Sequence, residues 1–288
     1  MKYYIVDVFA RERYSGNQLA VVLLHEPMDK EAMQRIATEF HFSETTFIAL
    51  DESEGNRFRV YIFTPAGEIP FAGHPTLGTA QVIRDEILGG GAEEVLLELE
   101  AGPVPVWFDS DGLVWMRQME PVFGEEHDRA LIAPIVSLDT ADIDSRYPVQ
   151  NVSTGLDFII VPVKSLRAMK DAAIDPHEYR RHFNTRDRKP LLLFCPETYE
   201  RENTLNCRMF DDVHGAFEDP ATGSANGCLS AYLSQHRYFG GDSVDISVEQ
   251  GFEIGRKSIL YLRSKPEGAS FNIEIGGRVF PVADGSLR

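Results

Sequence analysis

Two short segments carry the residues most suited to chemistry. His74 stands inside GHPTLGTA (73–80), and Asp219 heads DPATGSA (219–225), about half a chain later. Both read acid/base–Pro–x–x–Gly–hydroxyl–Ala, and the patterning predicts that each opens a helix. A helix N-terminus leaves about four N–H groups without intrahelical partners. It carries roughly half a positive charge, which is why carboxylates and phosphates bind there. Gly73, Gly78, Gly223 and Gly227 leave room for close approach to the backbone, and Thr76, Thr222 and Ser224 add hydroxyl donors. For one such turn, simple capping by Thr, Ser or Asp is the better account. Two matched turns, one with His74 and the other with Glu218-Asp219, favour a site for a small carboxylate, shared if the two halves face each other. The third candidate is Glu44 in FSETTF (42–47). Alone it reads as a solvated turn residue. Together with the two helix starts it becomes a candidate general acid/base. Donors aimed at an adjoining carboxylate or carbonyl would stabilise the developing charge.

These residues need elements to hold them. The chain opens with strand YYIVDVF, a Gly-rich turn YSGNQ and strand LAVVLL. Asp29 is placed to cap a helix, KEAMQRIATEF, whose Met33, Ile36, Ala37 and Phe40 share one face. ETTFIAL and NRFRVYIFT follow as strands. Then comes the GHPTLG helix, with Pro75 in its first turn, where a missing N–H costs little. EVLLELEAG, VPVWFD and LVWMRQM make a meander. The stretch from Pro121 to Pro148 reads as a connector with one short helix. A second round of strands and helices surrounds DPATGSANGCLSAYLSQH, and SVDISVEQG, SILYLRS, SFNIEIGG and RVFPVADG close the chain. The expectation is an α+β fold of two pseudo-symmetric halves, 1–125 and 126–288, each a mainly antiparallel barrel-like sheet around a central helix. The repeated order of elements points to an ancient duplication.

Composition narrows the function. A length of 288 residues suits two domains, and 43% apolar with 25% charged residues is ordinary for a globular protein. No apolar run approaches a membrane span, and MKYYIVDVFA lacks a signal-peptide pattern, so a cytoplasmic location is expected. A formal net charge of −17 leaves no basic stripe for nucleic acid. The local exception, YRRHFNTRDRK (179–189), reads as a solvated helix end. HEYRRH (177–182) separates its histidines by five residues rather than the four that a zinc-binding helix needs, so no metal is expected. Cys195, Cys207 and Cys228 match neither a zinc nor a disulfide spacing. No phosphate-binding glycine loop or nucleophile elbow occurs. His214 lies close to the second segment, but a surface role is the simpler reading.

FSETTF, FTPAGEIPFAGHPTLGTA, VSTGL, RMF, EDPATGSA and QGFEIGRKS, in this order, resemble the phenazine-biosynthesis PhzF-like isomerase family along nearly the whole chain. The resemblance implies a diaminopimelate epimerase-like fold in which the last strand can return to the first half. It implies a dimeric, cofactor-free isomerase that shifts a proton within a small cyclic amino acid, dihydro-hydroxyanthranilate in phenazine producers. Glu44 matches the family's acid/base, and His74 and Asp219 match its polar partners. Asn17, Ser43 and Ser224 match ligand-facing positions. Gly73 and Gly223 fall where related epimerases carry two catalytic cysteines, so a two-thiol mechanism is not expected. Gly16-Asn17-Gln18 departs from the family's frequent Gly-Asn-Pro, which frees that turn. Two other readings stay open: an epimerase with Glu44 opposed by Asp219 or His74, and a non-catalytic protein binding small acids.

Overall fold

The computed structural model of the chain describes residues 1–183, 189–211 and 218–288; His214 and part of the basic stretch lie outside them. In chain order the elements are β1 (Lys2–Val8), β2 (Asn17–Leu24), α1 (Lys30–Phe40), β3 (Glu44–Glu54), β4 (Arg57–Thr64), β5 (Gly67–Ile69), α2 (Gly73–Val82), β6 (Glu94–Leu99), β7 (Gly102–Phe108) and β8 (Val114–Arg117). Then follow β9 (Val122–His127), α3 (Arg129–Ile135), β10 (Val149–Ser153), β11 (Asp157–Pro162), α4 (Leu166–Asp171), α5 (Pro176–His182), β12 (Leu191–Cys195), β13 (Leu205–Phe210), α6 (Gly223–Gln235), β14 (Val244–Gln250), β15 (Ser258–Glu267), β16 (Ser270–Gly277) and β17 (Val279–Ser286). The result is a mixed, sheet-rich α+β fold. No helix among the described residues is long and apolar enough to cross a membrane.

The chain divides into two units, Met1–Arg117 with Gly276–Arg288, and Gln118–Ile275. In the first, β1 lies between β17 and β2, antiparallel to both. β2 and β3 run parallel, as do β4 and β6; β3–β4, β4–β5, β6–β7 and β7–β8 are antiparallel. In the second, β9–β10 and β10–β11 are antiparallel, β11–β12 parallel, β12–β13 antiparallel, β13–β14 parallel and β14–β15 antiparallel. From β1 to β7 and from β10 to β15 the same alternation of senses recurs. Each parallel pair spans a helical crossover, because two parallel neighbours cannot be joined by a hairpin.

The helices divide into two kinds. α1 buries Met33 and Ala37 against Val22, Leu24, Phe47 and Phe63 and leaves its other face to water. Asp29 caps it, accepting from the Ala32 N–H at 2.7 Å. Asp128, Ser165 and Asp175 cap α3, α4 and α5 in the same way. α2 and α6 are instead buried nearly all round, the pattern of a helix enclosed by other elements. α2 packs on β1, β2, β3, β6, β7, β8 and β17, and α6 on β10, β11, β14 and β15. Gly78 permits the first packing: a Cβ there would lie 2.6 Å from Leu19 Cδ2 and 2.7 Å from Val8 Cγ2. The GHPTLG helix ends in one π-helical turn, Ile83–Ile87.

The Pro121–Pro148 connector contains a strand, β9, that the patterning does not announce. Most of its residues are exposed, so it shows no apolar alternation.

Candidate active site

In the first unit, three element starts converge. Glu44 begins β3 and pairs in register with Leu19 of the parallel β2. Asn17, two residues upstream of Leu19, begins β2 and is therefore at the same edge. Parallel neighbours start on the same side, and α2, the crossover that follows β4 and β5, starts there too. Gly16 makes the turn into β2 with φ +71°; a Cβ would fall 2.4 Å from the Val8 carbonyl oxygen. His74, second residue of α2 and 4% exposed, places Nε2 3.4 Å from Glu44 Oε2 and Nδ1 3.3 Å from Asn17 Nδ2. The Thr46 and Thr79 hydroxyls bond at 2.8 Å and tie β3 to α2. Ser43 is exposed beside Glu44, and Gly73 is buried at the helix start. Thr76 donates its hydroxyl to the Ala72 carbonyl at 2.7 Å, within its own helix start.

Burial pushes the His74 pKa down to about 3, against a smaller upward pull from a backbone hydrogen bond with Gln18. At neutral pH the ring is an uncharged imidazole, with one N–H donor and one lone pair. Its 3.4 Å approach to Glu44 is then the close contact of an uncharged ring with a carboxyl group rather than an ion pair.

In the second unit, Asp219 is held by its backbone: its N–H donates to the Met209 carbonyl at 3.0 Å. Thr222 donates to Asp219 Oδ2 at 2.5 Å. Gln250, fully buried, braces this turn. Its Nε2 donates to the Asp219 carbonyl at 2.9 Å and to Thr222 Oγ1 at 3.1 Å, and its Oε1 accepts from the Thr222 N–H at 3.2 Å and Asn226 Nδ2 at 2.9 Å. Gly251 lies against the same turn, where a Cβ would be 2.6 Å from the Pro220 carbonyl oxygen. Glu218 forms a buried two-pronged pair with Arg208, at 2.9 and 2.7 Å, and Arg208 also donates to the carbonyls of Met169 and Ala172 at 2.6 Å. Gly223 and Ser224 are buried in the first turn of α6.

Gln250 and Asn226 are contacts that motif reading passed over. The signal was present in one form: a glutamine at the end of the SVDISVEQG strand, just before Gly251.

α2 and α6, the two central helices, share one feature that the four capped helices lack. Neither Ala72 nor Thr222 makes a side-chain cap, and neither first turn holds an acidic residue. Buried N–H groups without such partners are an anion-binding arrangement. The three cysteines are free and buried. Burial raises the Cys195 and Cys228 thiols to about 12 and pushes Cys207 up as well. A thiolate nucleophile near neutral pH is thereby disfavoured. No cluster of His, Cys, Asp and Glu able to hold a metal occurs among the described residues.

The chain matches a family model described as phenazine biosynthesis-like protein over residues 6–285. It is 33% identical to an uncharacterized isomerase of Mesorhizobium japonicum, covering 99% of this chain and 98% of that protein. It is also 33% identical to the trans-2,3-dihydro-3-hydroxyanthranilate isomerase of Pseudomonas aeruginosa, with the same coverage of both chains. Among solved structures, a PhzF-family phenazine biosynthesis protein of Bacillus anthracis superposes with a TM-score of 0.91 at 27% identity, over 100% of this chain and 99% of that one. Sequence motifs, fold and full-length relatives agree, and the chain belongs to the phenazine biosynthesis-like, PhzF family, whose matched curated relatives bear isomerase names.

Proposed function

We propose that the protein is a cofactor-independent isomerase that moves a proton between carbons of a small, carboxylate-bearing cyclic amino or hydroxy acid. Glu44 is the acid/base and His74 its polar partner, and Asp219 is a further polar residue proposed for the reaction. The observation that carries this reading is the contact of Glu44 with a buried, neutral His74 at the uncapped start of α2. A protein that only bound anions would need the helix N–H groups but no proton carrier beside them. The neutral imidazole packs against the Glu44 carboxyl without adding charge, so it holds a polar wall beside the acid/base in either protonation state. The N–H groups at the start of α2 would take the substrate carboxylate and stabilise the charge that builds as a C–H bond breaks. Asn17, Ser43, Gly73, Thr222, Gly223 and Ser224 are the proposed substrate-facing residues; Thr76, expected as a hydroxyl donor, instead spends its hydroxyl on the Ala72 carbonyl.

The test is turnover of trans-2,3-dihydro-3-hydroxyanthranilate in deuterated water, following both product and label, with Glu44→Gln alongside. The wild type is expected to form product. Glu44→Gln should lose about 10²- to 10⁴-fold in kcat, the usual worth of a general acid/base. Equal rates for the two proteins would remove Glu44 from the chemistry. Binding of the acid with neither product nor label in the wild type would leave a binding protein instead.

A further inference from the structure

The second unit holds a buried polar group that the acid/base reading leaves unused. Gln118, the residue after β8, is 6% exposed. Its backbone N–H donates to the Ile273 carbonyl at 2.9 Å, which fixes the residue in place. Its side-chain Oε1 accepts from the Thr154 hydroxyl at 3.3 Å. Nε2, on the other arm of the amide, is fully buried and has no hydrogen-bond partner among the described residues. A buried amide donor without an acceptor is destabilising, and folded proteins keep few of them without a use.

The surroundings are built to hold this amide. Gly227, one turn into α6 beyond Gly223, is where Gln118 packs: a Cβ there would lie 2.9 Å from Gln118 Cγ, 3.0 Å from its Oε1 and 3.1 Å from Thr154 Oγ1. The Ser153–Leu156 loop, part of VSTGL, is docked on the same helix, since Cys228 Sγ donates to the Leu156 carbonyl at 3.6 Å. Gly155 takes φ +119° and lies against Met119, its missing Cβ 3.2 Å from the sulfur. Met119 and Leu156 are among the exposed large apolar side chains, at 55% and 41%. A deep unsatisfied donor thus has apolar side chains exposed next to it in sequence and beside the loop that covers it.

We infer that Gln118, with the Ser153–Leu156 loop, forms a subsite in the second unit for an oxygen acceptor, a carboxylate or carbonyl, on a ligand whose apolar ring lies against Met119 and Leu156. Gln118 Nε2 donates to that oxygen, and Thr154 fixes the amide so that the nitrogen is the arm left for the ligand. The inference deepens the proposed function and rests on its substrate class, a small cyclic acid.

The experiment titrates the full chain with 3-hydroxyanthranilate, the aromatic form of the acid named above, and separately with benzoate and benzylamine. Affinity is read by calorimetry, and the side-chain amide resonances of Gln118, assigned by their loss in Gln118→Leu, report on the subsite. Both acids are expected to shift those resonances and benzylamine to leave them in place. Gln118→Leu should weaken 3-hydroxyanthranilate about tenfold, the worth of one hydrogen bond to a charged group, with little change in melting temperature, because the loss of the orphaned donor is offset by the loss of the acceptor for the Thr154 hydroxyl. Gly227→Ala, whose methyl group displaces the amide, should weaken it as well. Amide resonances unmoved by either acid, an unchanged affinity in Gln118→Leu, or a response to benzylamine alone would overturn the subsite. Resonances that move in a protein that does not turn over the dihydro acid would leave the subsite standing and remove the isomerase reading. Turnover with Gln118 unresponsive would do the reverse.

Discussion

His74 joins a carboxyl, an amide and a helix start through one uncharged ring, and its burial has a consequence for stability. Above its unfolded value near 6.5, neither the native nor the unfolded chain holds the proton, and the residue contributes no pH dependence. From about 6.5 down to about 3, the unfolded chain takes a proton that the native ring refuses. Native stability therefore falls as pH falls through this window, by at most about 1.4 kcal/mol per unit from this residue. Urea unfolding of the wild type and His74→Gln between pH 7 and 4 should show a shallower loss in the variant. Identical slopes would mean that the ring is not held neutral. The same depression means that an acid limb in the activity profile between pH 5 and 7 would not come from His74.

Packing between elements can be tested through Gly78. Gly78→Ala places a methyl group 2.6–2.7 Å from Leu19 and Val8 side-chain atoms. Overpacking of this kind costs about 1–3 kcal/mol, partly offset by about 1 kcal/mol of helix propensity. A lowered melting temperature is expected, and one that rises would show that β1 and β2 can move away from α2 at no cost. Much at this scale was legible beforehand. Asp29 with its amphipathic run gave α1, and the Gly–His–Pro and Asp–Pro–x–Thr–Gly turns gave α2 and α6, because caps, prolines and periodicity are local signals. The pairing of Glu44 with His74 was legible only through the family resemblance, while its geometry came from the parallel register of β2 and β3. β9 was not legible, since an exposed strand needs no alternating pattern. Gln118 and Gln250 were equally silent: a neutral amide advertises neither charge nor metal affinity, and its importance appears only once burial counts its unmet or satisfied bonds.

At the scale of the whole molecule, the formal charge of −17 sets a field that opposes any anion approaching from solution. An anionic substrate must overcome that field before the helix-start N–H groups can act at short range. Raising ionic strength from about 0.01 M to 0.15 M shortens the screening length from roughly 30 Å to 8 Å, so KM for a carboxylate substrate should fall over that range while kcat stays constant. A KM that rises with salt would mean that local positive potential outweighs the net charge. One further consequence follows from the antiparallel bonding of β17 with β1, and from the Met1 amino group donating to the Leu287 carbonyl at 2.9 Å. During synthesis on a ribosome, the first unit stays an unfinished sheet until its partner strand from residue 279 onward emerges, so the later-made Gln118–Ile275 segment can mature ahead of it. With the two ends so close, a circular permutant that joins them and opens an exposed loop elsewhere would give the first unit all its strands in one uninterrupted stretch.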